Sequence, residues 1–249
     1  MISIVTPSVR PEMLEIVAKC LKRQTFKDFE WIIVVPQYLF MEVDRIYEYE
    51  YIVVGEPLKN EGDYYGLNKA WNQGFRYAQG ELIVSLTDGL WFPPDLLERL
   101  WSHYETNPKS VVGLLGNQYD QVLNGKPEHM VWQDPRKRTD MGAYYETLAS
   151  EIEWCIASFP RQAIYDVGGM PENYDKGAAL SEKITNLRFE KAGYKLYLDQ
   201  SLEYRAISHP RLSSEWDDKY KIAIELYQQD AKDILNGKNL KLDYIAEKE

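Results

Sequence analysis

Asp88 is the residue whose position points most directly to chemistry. It follows an apolar run over residues 82–87 that is typical of a buried strand. Open α/β sheets bind ligands at the carboxyl ends of their strands, and a carboxylate at that edge can hold Mg²⁺ or Mn²⁺ through its oxygens. The alternative is a turn residue, because Asp followed by Gly, here Gly89, is a common turn pair. We favour the functional interpretation.

Several frequent enzyme motifs are absent from the sequence. No G-x-G, no G-x-x-x-x-G-K-[ST] and no G-x-S-x-G occurs. The three histidines, His103, His129 and His209, form no H-E-x-x-H pair. A dehydrogenase, a P-loop kinase, a serine hydrolase and a zinc site built only from protein ligands are therefore not expected.

The composition predicts a folded, acidic protein. The chain has 249 residues, of which 39 are acidic and 29 are basic, so its net charge is −10. Hydrophobic residues make up 45% of the chain. This charge argues against a nucleic-acid partner, which needs a basic face. We expect no transmembrane segment, because the apolar runs are far shorter than about 20 residues. With no export signal and only Cys20 and Cys155, we expect a cytoplasmic protein.

Short β-rich runs alternate with helical patterns through the first two-thirds of the chain. This alternation predicts an α/β fold with a mostly parallel central sheet. The predicted strands are residues 2–6, 31–35, 51–54, 82–87 and 111–115, and the helices begin at Pro11, near Tyr64 and at Pro94.

The second half of the chain is less regular. Residues 117–150 contain Gly125, Pro127 and the basic run 136–138, which predicts a long loop. The basic run is either a solvated face or a contact for phosphate or acceptor. Further on we predict helices over 163–167, 180–192 and 214–235, and strands over 194–198 and 202–208.

The order of several motifs resembles the family-two glycosyltransferases of the GT-A fold. Residues 2–7 and 29–35 resemble the start of the family, and residues 72–81 resemble its N-x-G-hydrophobic-x-x-A-x-G-E segment. Thr87-Asp88-Gly89 stands where the family places its Asp-x-Asp. Residues 60–62, 158–161 and 167–172 also fit, and the resemblance covers about residues 1–210.

The resemblance implies a fold, a reaction and a cofactor. The fold is a GT-A-like three-layer α/β/α sandwich over residues 1–210, with a nucleotide-binding half over 1–116 and an acceptor-side half over 117–210. A C-terminal helix and a charged tail follow over 211–249. The reaction is metal-assisted, inverting transfer of a hexose from a nucleotide sugar to a glycan or other hydroxyl acceptor. Mn²⁺ or Mg²⁺ would be bound by Asp88 and by His209, which otherwise is a surface histidine.

The same resemblance implies a set of nucleotide-sugar-binding residues. Besides Asp88, this set consists of Thr6, Pro7, Ser8, Gln37, Asn68, Lys69 and Asn72. Gln37 follows the second strand in place of the Asp that is usual there, and Trp71 stands in place of an Arg. A UDP-sugar is favoured as donor, and a GDP-sugar is the alternative. Otherwise, these residues belong to turns and to an exposed helix face.

The general base implied by the resemblance is Glu182. Counting back from Gly193-Tyr194 places Ser181-Glu182 on the acidic pair of the family. The competing interpretation is a carboxylate favoured by the N-terminus of a helix. Asp175 is the second candidate for the base.

Two other functions stay open. The incomplete Asp-x-Asp and Ser181 are compatible with a catalytically impaired relative that binds a nucleotide or a glycan. A sugar nucleotidyltransferase on a related sheet is the third reading. Trp91, Trp132 and Trp154, in or near predicted loops, could stack on sugar rings.

Overall fold

The computed structural model describes residues 1–44, 51–123, 125–208 and 215–245. Within these ranges the chain forms ten strands and seven α-helices. The strands are β1 (Ile2–Pro7), β2 (Phe29–Val35), β3 (Ile52–Gly55), β4 (Leu82–Leu86), β5 (Leu90–Trp91), β6 (Ser110–Leu123), β7 (Lys126–Trp132), β8 (Tyr144–Glu146), β9 (Ile156–Pro160) and β10 (Lys195–Ile207). The helices are α1 (Pro11–Lys22), α2 (Phe40–Asp44), α3 (Leu67–Tyr77), α4 (Leu96–Thr106), α5 (Arg161–Val167), α6 (Ser181–Lys191) and α7 (Trp216–Leu235).

All ten strands form one mixed sheet. Its order is β3-β2-β1-β4-β9-β6-β10-β5, with β7 beside β6 and β8 beside β10. β3, β2, β1 and β4 pair in parallel, whereas β9 runs antiparallel between β4 and β6. β10 returns parallel to β6. The carboxyl ends of the four parallel strands therefore meet at one edge of the sheet.

Helices cover both faces of the sheet. Successive strand residues point to opposite faces, so Ile4 packs in the core with α1, α2 and α4, while Val5 packs in the core with α3, α5 and α6. α7 packs on α6 outside the second of these layers. The predicted three-layer α/β/α arrangement with a C-terminal helix is confirmed.

Two glycines explain why residues 72–81 carry their motif. A Cβ on Gly74 would lie 2.3 Å from Cγ1 of Val5, and a Cβ on Gly80 would lie 2.6 Å from the backbone nitrogen of Ser3. Helix α3 and the turn after it therefore approach β1 more closely than any larger residue allows. The motif fixes the packing of α3 on the sheet.

The prediction of a long loop over residues 117–150 is wrong. β6 continues to Leu123 and forms a hairpin with β7, and β8 then pairs with β10. Gly125 lies in this hairpin turn with φ of +72°. Much of the hairpin is exposed, so its strands lack the buried apolar pattern by which strands are recognised in a sequence.

Other predicted boundaries shift by smaller amounts. The two strands predicted over 194–208 are one strand, β10, interrupted by a bulge between Asp199 and Glu203. The charged tail packs against the domain as far as it is described. Its Ile245 is buried, and the amide of Leu242 donates a hydrogen bond to the carbonyl of Val167.

Gly168 lies so close to this tail that a side chain does not fit there. Its φ is +75°, and an added Cβ would overlap the backbone of Leu242. We expect Gly168→Ala to lower the free energy of unfolding by roughly 2.5–5 kcal/mol, because a left-handed Ala costs about 1–2 kcal/mol and exposing Ile245 costs about 1.5–3 kcal/mol. Urea denaturation measures the loss.

Gly193→Ala is the matched control for Gly168→Ala. Gly193 also has a positive φ, of +89°, but nothing lies within 4 Å of an added Cβ. We expect a loss of about 1–2 kcal/mol, from backbone strain alone. Equal losses in the two variants would show that the docked tail contributes nothing to stability.

Candidate functional site

A cavity of about 1090 Å³ opens at the edge where the parallel strands end. Pro7 ends β1, Ser8 follows it, Gln37 follows β2 and Asp88 follows β4, and all four residues line the cavity. Residues that follow β3 and residues at the start of α3 complete the wall. This is the edge at which open α/β sheets bind their ligands.

Asp88 lines this cavity, is largely buried, and has both carboxylate oxygens engaged. Its Oδ2 accepts hydrogen bonds from Ser8 Oγ at 2.6 Å and from Arg10 Nε at 3.3 Å. Its Oδ1 accepts from Arg10 Nη2, so the guanidinium binds the carboxylate through two nitrogens. The amide of Arg10 donates to Ser8 Oγ at 3.0 Å, which closes the network. Asp88 therefore positions Arg10 at the cavity wall.

The residues predicted to bind the nucleotide sugar at the end of β1 do not all face the cavity. Pro7 and Ser8 line the cavity together with Gln37. Thr6 is fully buried, and its Oγ1 accepts a hydrogen bond from Trp31 Nε1 at 2.9 Å. The structure thus brings Pro7, Ser8, Gln37 and Asp88 together and turns the side chain of Thr6 into the core.

The residues predicted on α3 are held inside the protein. Asp175 accepts hydrogen bonds from the amides of Asn68 and Lys69, at 2.8 and 3.2 Å, and from Nδ2 of Asn68 at 2.9 Å. Lys69 forms an ion pair with Asp63, and both side chains are buried. The ammonium of Lys69 lowers the pKa of Asp63, although burial opposes this.

Asn72 is also buried, and it contacts a distant loop. Its Oδ1 accepts from the amide of Met170 at 2.7 Å, and its Nδ2 donates to the Met170 carbonyl at 3.0 Å and to Glu172 at 2.9 Å. The loop after α5 is thereby tied to α3. These bonds occupy the polar atoms by which Asn72 would contact a donor.

Asp175, the second candidate for the base, caps the N-terminus of α3. Burial raises its pKa to about 6, and the three N–H donors from Asn68 and Lys69 oppose this rise. The capping residue is more than 100 positions from the helix it caps, since |i−j| is 107 for Asn68. These contacts tie the start of α3 to the segment before α6.

Glu182 lies in the first turn of α6 and is half-buried. Burial raises its pKa, and the charge of Glu153 raises it further. Besides burial, the charge of Glu182 also raises the pKa of the Cys155 thiol. The backbone carbonyl of Cys155 accepts a hydrogen bond from the amide of Thr87 at 3.0 Å. Glu182 therefore lies near the strand end that carries Asp88. A raised pKa suits a carboxylate that accepts a proton near neutral pH.

The backbone before Glu182 is strained. Ala179 and Leu180 both have φ of +69°, in the left-handed region that side chains disfavour. Gly177 precedes them and packs against α7, where an added Cβ would lie 3.0 Å from the amide of Ala223. Strain of this kind persists where the surrounding structure fixes it, and it is common at functional sites.

Several polar residues of the cavity were not predicted from the sequence. Arg10, Glu56 and Tyr65 line the cavity, and burial raises the pKa of Glu56. Arg10 could have been found, because it comes two residues after Ser8 in the loop predicted to wrap the base. Glu56 follows the strand predicted over 51–54 and Tyr65 lies at the start of a predicted helix, but neither belongs to a recognised motif, so no signal identified them.

The basic run and the tryptophans have mostly structural surroundings. Arg136 forms an ion pair with Asp134 and donates to the carbonyl of Glu151. Trp154 is buried among aromatic rings, and Trp91 lies beneath several cationic side chains. Trp132, on β7, is 42% exposed. None of these residues lines the cavity.

The residues around Asp88 do not fit a divalent cation. Asp88 supplies one carboxylate, and its oxygens are engaged by Arg10 and Ser8. Within the described ranges, no three His, Cys, Asp or Glu side chains come together as a metal site. His209, the second predicted ligand, lies outside the described residues.

Comparison with known proteins identifies the class. Residues 56–168, just under half of the chain, match the model of glycosyl transferase family 2. No curated protein matches the sequence. Similar solved structures include S. aureus TarS 1–349 in complex with UDP, with a TM-score of 0.62 and 13% identity over 92% of this chain. GalNAc-T7 with UDP, GalNAc and Mn²⁺ has a TM-score of 0.67 and 12% identity over 94% of this chain.

These matches support a family-two glycosyltransferase segment on a GT-A fold. Residues 56–168 match the family model, the solved structures share the fold, and the resemblance inferred from the motifs is confirmed. The chain spans 64% of the TarS fragment and 49% of the GalNAc-T7 chain. Within the described ranges, no helix combines the length and the apolar character that crossing a membrane requires.

Proposed function

We propose that this chain transfers a sugar from a nucleotide-sugar donor to an acceptor hydroxyl, with inversion at the anomeric carbon. The observation that carries the proposal is the cavity at the ends of the parallel strands, which is lined by Asp88. Asp88 lies inside the segment that matches the family. The cavity volume of about 1090 Å³ is at the upper end of what a small-molecule site needs.

Ser8 and Gln37 are the proposed contacts to the nucleotide. They follow β1 and β2 on the cavity wall, and Pro7 lines the same wall. The amide of Gln37 both donates and accepts hydrogen bonds, which suits the edge of a base. TarS structures hold UDP and UDP-GlcNAc, which supports a UDP-sugar as donor here, with a GDP-sugar as the alternative.

Glu182 is the proposed general base. The acceptor oxygen attacks the anomeric carbon and loses its proton to Glu182, while the bond from that carbon to the diphosphate breaks and its electron pair stays on the leaving oxygen. Attack opposite the leaving group inverts the configuration. Besides burial, the charge of Glu182 raises the pKa of Cys155, whose backbone carbonyl accepts a hydrogen bond from the amide of Thr87 after β4, and this supports the placement.

The divalent cation stays a prediction of the sequence. GalNAc-T7 was solved with Mn²⁺, which supports testing Mn²⁺ and Mg²⁺ here. Arg10 and Ser8 would have to release Asp88 before a cation could bind its carboxylate. A cytoplasmic location also stays a prediction, for which the two free cysteines, Cys20 and Cys155, are the support.

A screen of donors tests the proposed function. The protein is incubated with UDP- and GDP-sugars and a panel of glycan acceptors, in Mn²⁺, Mg²⁺ or EDTA, and release of the nucleoside diphosphate and glycosylated product are measured. Product formation with inverted configuration supports the proposal. Exchange of pyrophosphate into the donor would point to a nucleotidyltransferase, and absence of turnover with every donor would contradict the proposed reaction.

One observation favours a second candidate, a relative that binds a nucleotide or glycan without turnover. The single carboxylate of the Asp-x-Asp position is engaged by Arg10. Tight binding of UDP or GDP without donor consumption in the screen would identify this case.

The pH dependence of transfer should report Glu182. The base must be ionised, so the rate should rise with pH through a midpoint above the ordinary value of 4.5 for Glu. Glu153→Gln removes a negative charge that raises this pKa, so we expect the midpoint to move to lower pH. Rates measured from pH 4 to pH 9 give the midpoint. Glu190→Gln, at an exposed position on α6, should leave the midpoint unchanged. An unshifted midpoint in Glu153→Gln would argue against Glu182 as the base.

A further inference from the structure

Two cationic side chains, Arg10 and Lys59, line the cavity. The protein carries a net charge of −10, so an anionic ligand depends on a few local cations. Lys59 is exposed, and its Nζ donates to the carbonyl of Tyr64 at 3.3 Å. Arg10 is more buried and is fixed by other side chains.

Arg10 keeps free hydrogen-bonding capacity although it binds Asp88. The carboxylate takes Nε and Nη2. Nη1 is buried and has no hydrogen-bond partner among the described residues. A guanidinium has five N–H donors and can bind two anions at once, so Arg10 can hold Asp88 and still donate to a second anion. A buried donor without a partner is costly, and a bound oxyanion would remove that cost.

The other cations that the sequence offered at this site are engaged elsewhere. Lys69 is buried in its ion pair with Asp63. The family's Arg on this helix is replaced by Trp71, which carries no charge. It is buried and stacks on Phe75 with ring centroids 5.7 Å apart. Arg10 is therefore the fixed positive charge at the end of β4.

We propose that Arg10 binds the diphosphate of the donor. Its guanidinium then supplies the positive charge expected from the divalent cation that was predicted at Asp88. This inference rests on the proposed function. When the anomeric bond breaks, negative charge grows on the diphosphate oxygen, and a guanidinium pre-positioned by Asp88 and Ser8 stabilises that charge through charge-assisted hydrogen bonds. Asp88 then acts as the residue that orients Arg10.

Calorimetry with nucleotides in EDTA tests this role. UDP and GDP are compared with uridine and guanosine, so that the difference isolates the diphosphate. We expect the wild-type protein to bind one diphosphate at least about tenfold more tightly than its nucleoside without metal. Arg10→Ala should lower the affinity for that diphosphate about 10- to 100-fold and leave the affinity for the nucleoside within about twofold.

Two further variants keep the test decisive. Arg10→Lys keeps a charge opposite Asp88 but loses the planar fork, so its affinity for the diphosphate should be intermediate. Arg23→Ala removes one positive charge at the other end of α1, outside the cavity lining, and should leave binding unchanged. Circular dichroism establishes that each variant is folded.

The outcomes separate this inference from the proposed function. Unchanged diphosphate affinity in both folded Arg10 variants would overturn the role of Arg10 and leave glycosyl transfer standing. Diphosphate binding that needs Mn²⁺ in the wild-type protein would overturn it as well. Failure of the wild-type protein to bind any of the four compounds, with or without Mn²⁺, would overturn both proposals.

Discussion

Replacing Glu182 with Gln should lower the rate of sugar transfer by about 100- to 10,000-fold, which is the range that a positioned general base contributes. The amide has nearly the same shape as the carboxylate but cannot take the proton of the acceptor hydroxyl. The rate is measured as release of the nucleoside diphosphate at saturating donor. Because Glu182 does not line the donor cavity, affinity for UDP should stay within about twofold of the wild-type value.

Glu190→Gln is the matched control, since Glu190 is exposed on the same helix. It removes the same charge from α6 and should transfer sugar at the wild-type rate. If both variants keep full activity while Asp175→Asn loses it, the base is the capping carboxylate of α3 and the assignment of Glu182 is wrong. If Glu182→Gln also loses UDP affinity, the residue acts on donor binding rather than on proton transfer.

The central architecture could be predicted because it depends on local patterns. The strands β1, β2 and β4 are short runs rich in Ile and Val with a stop signal close behind, and their alternation with helices leaves few arrangements. The exposed hairpin β6–β7 could not, because its side chains alternate between solvent and a partner that the sequence does not reveal. β9 was missed for a related reason: it runs antiparallel in the middle of the sheet, where periodicity alone gives no direction.

The site residues differ in the same way: some are placed by a local pattern, and others depend on partners far away in the sequence. Ser8, Gln37 and Asp88 follow strands directly, and topology places the ends of those strands together. The roles of Asn68 and Lys69 depend on Asp175 and Asp63, which reach α3 from other segments. A motif gives the residue type but not the partner, so a polar side chain on α3 could equally face the cavity or hold the fold. The role of Arg10 likewise depends on a distant partner, because Asp88 lies 78 positions further along the chain.

Asn72→Ala separates these two possibilities with a large expected effect. Asn72 is completely buried and bonds both backbone groups of Met170. Removing its amide leaves a buried N–H and a buried C=O unsatisfied, at about 1–3 kcal/mol each, so we expect the free energy of unfolding to fall by roughly 2–6 kcal/mol. Urea denaturation measures the loss, and calorimetry at a low temperature, where the variant stays folded, should give UDP affinity within about twofold of the wild-type value.

Gln73→Ala is the control for that change, because Gln73 is the next residue on α3 and is only half-buried, with one hydrogen bond from Arg76 at 3.1 Å. A loss below about 1 kcal/mol is expected there, since water can replace the bond. The resemblance to the family predicts the reverse pattern for Asn72: UDP affinity about tenfold weaker with little change in stability. That result would mean that the loop at Met170 moves away from Asn72 when a donor binds, and that the family motif on α3 serves the donor after all.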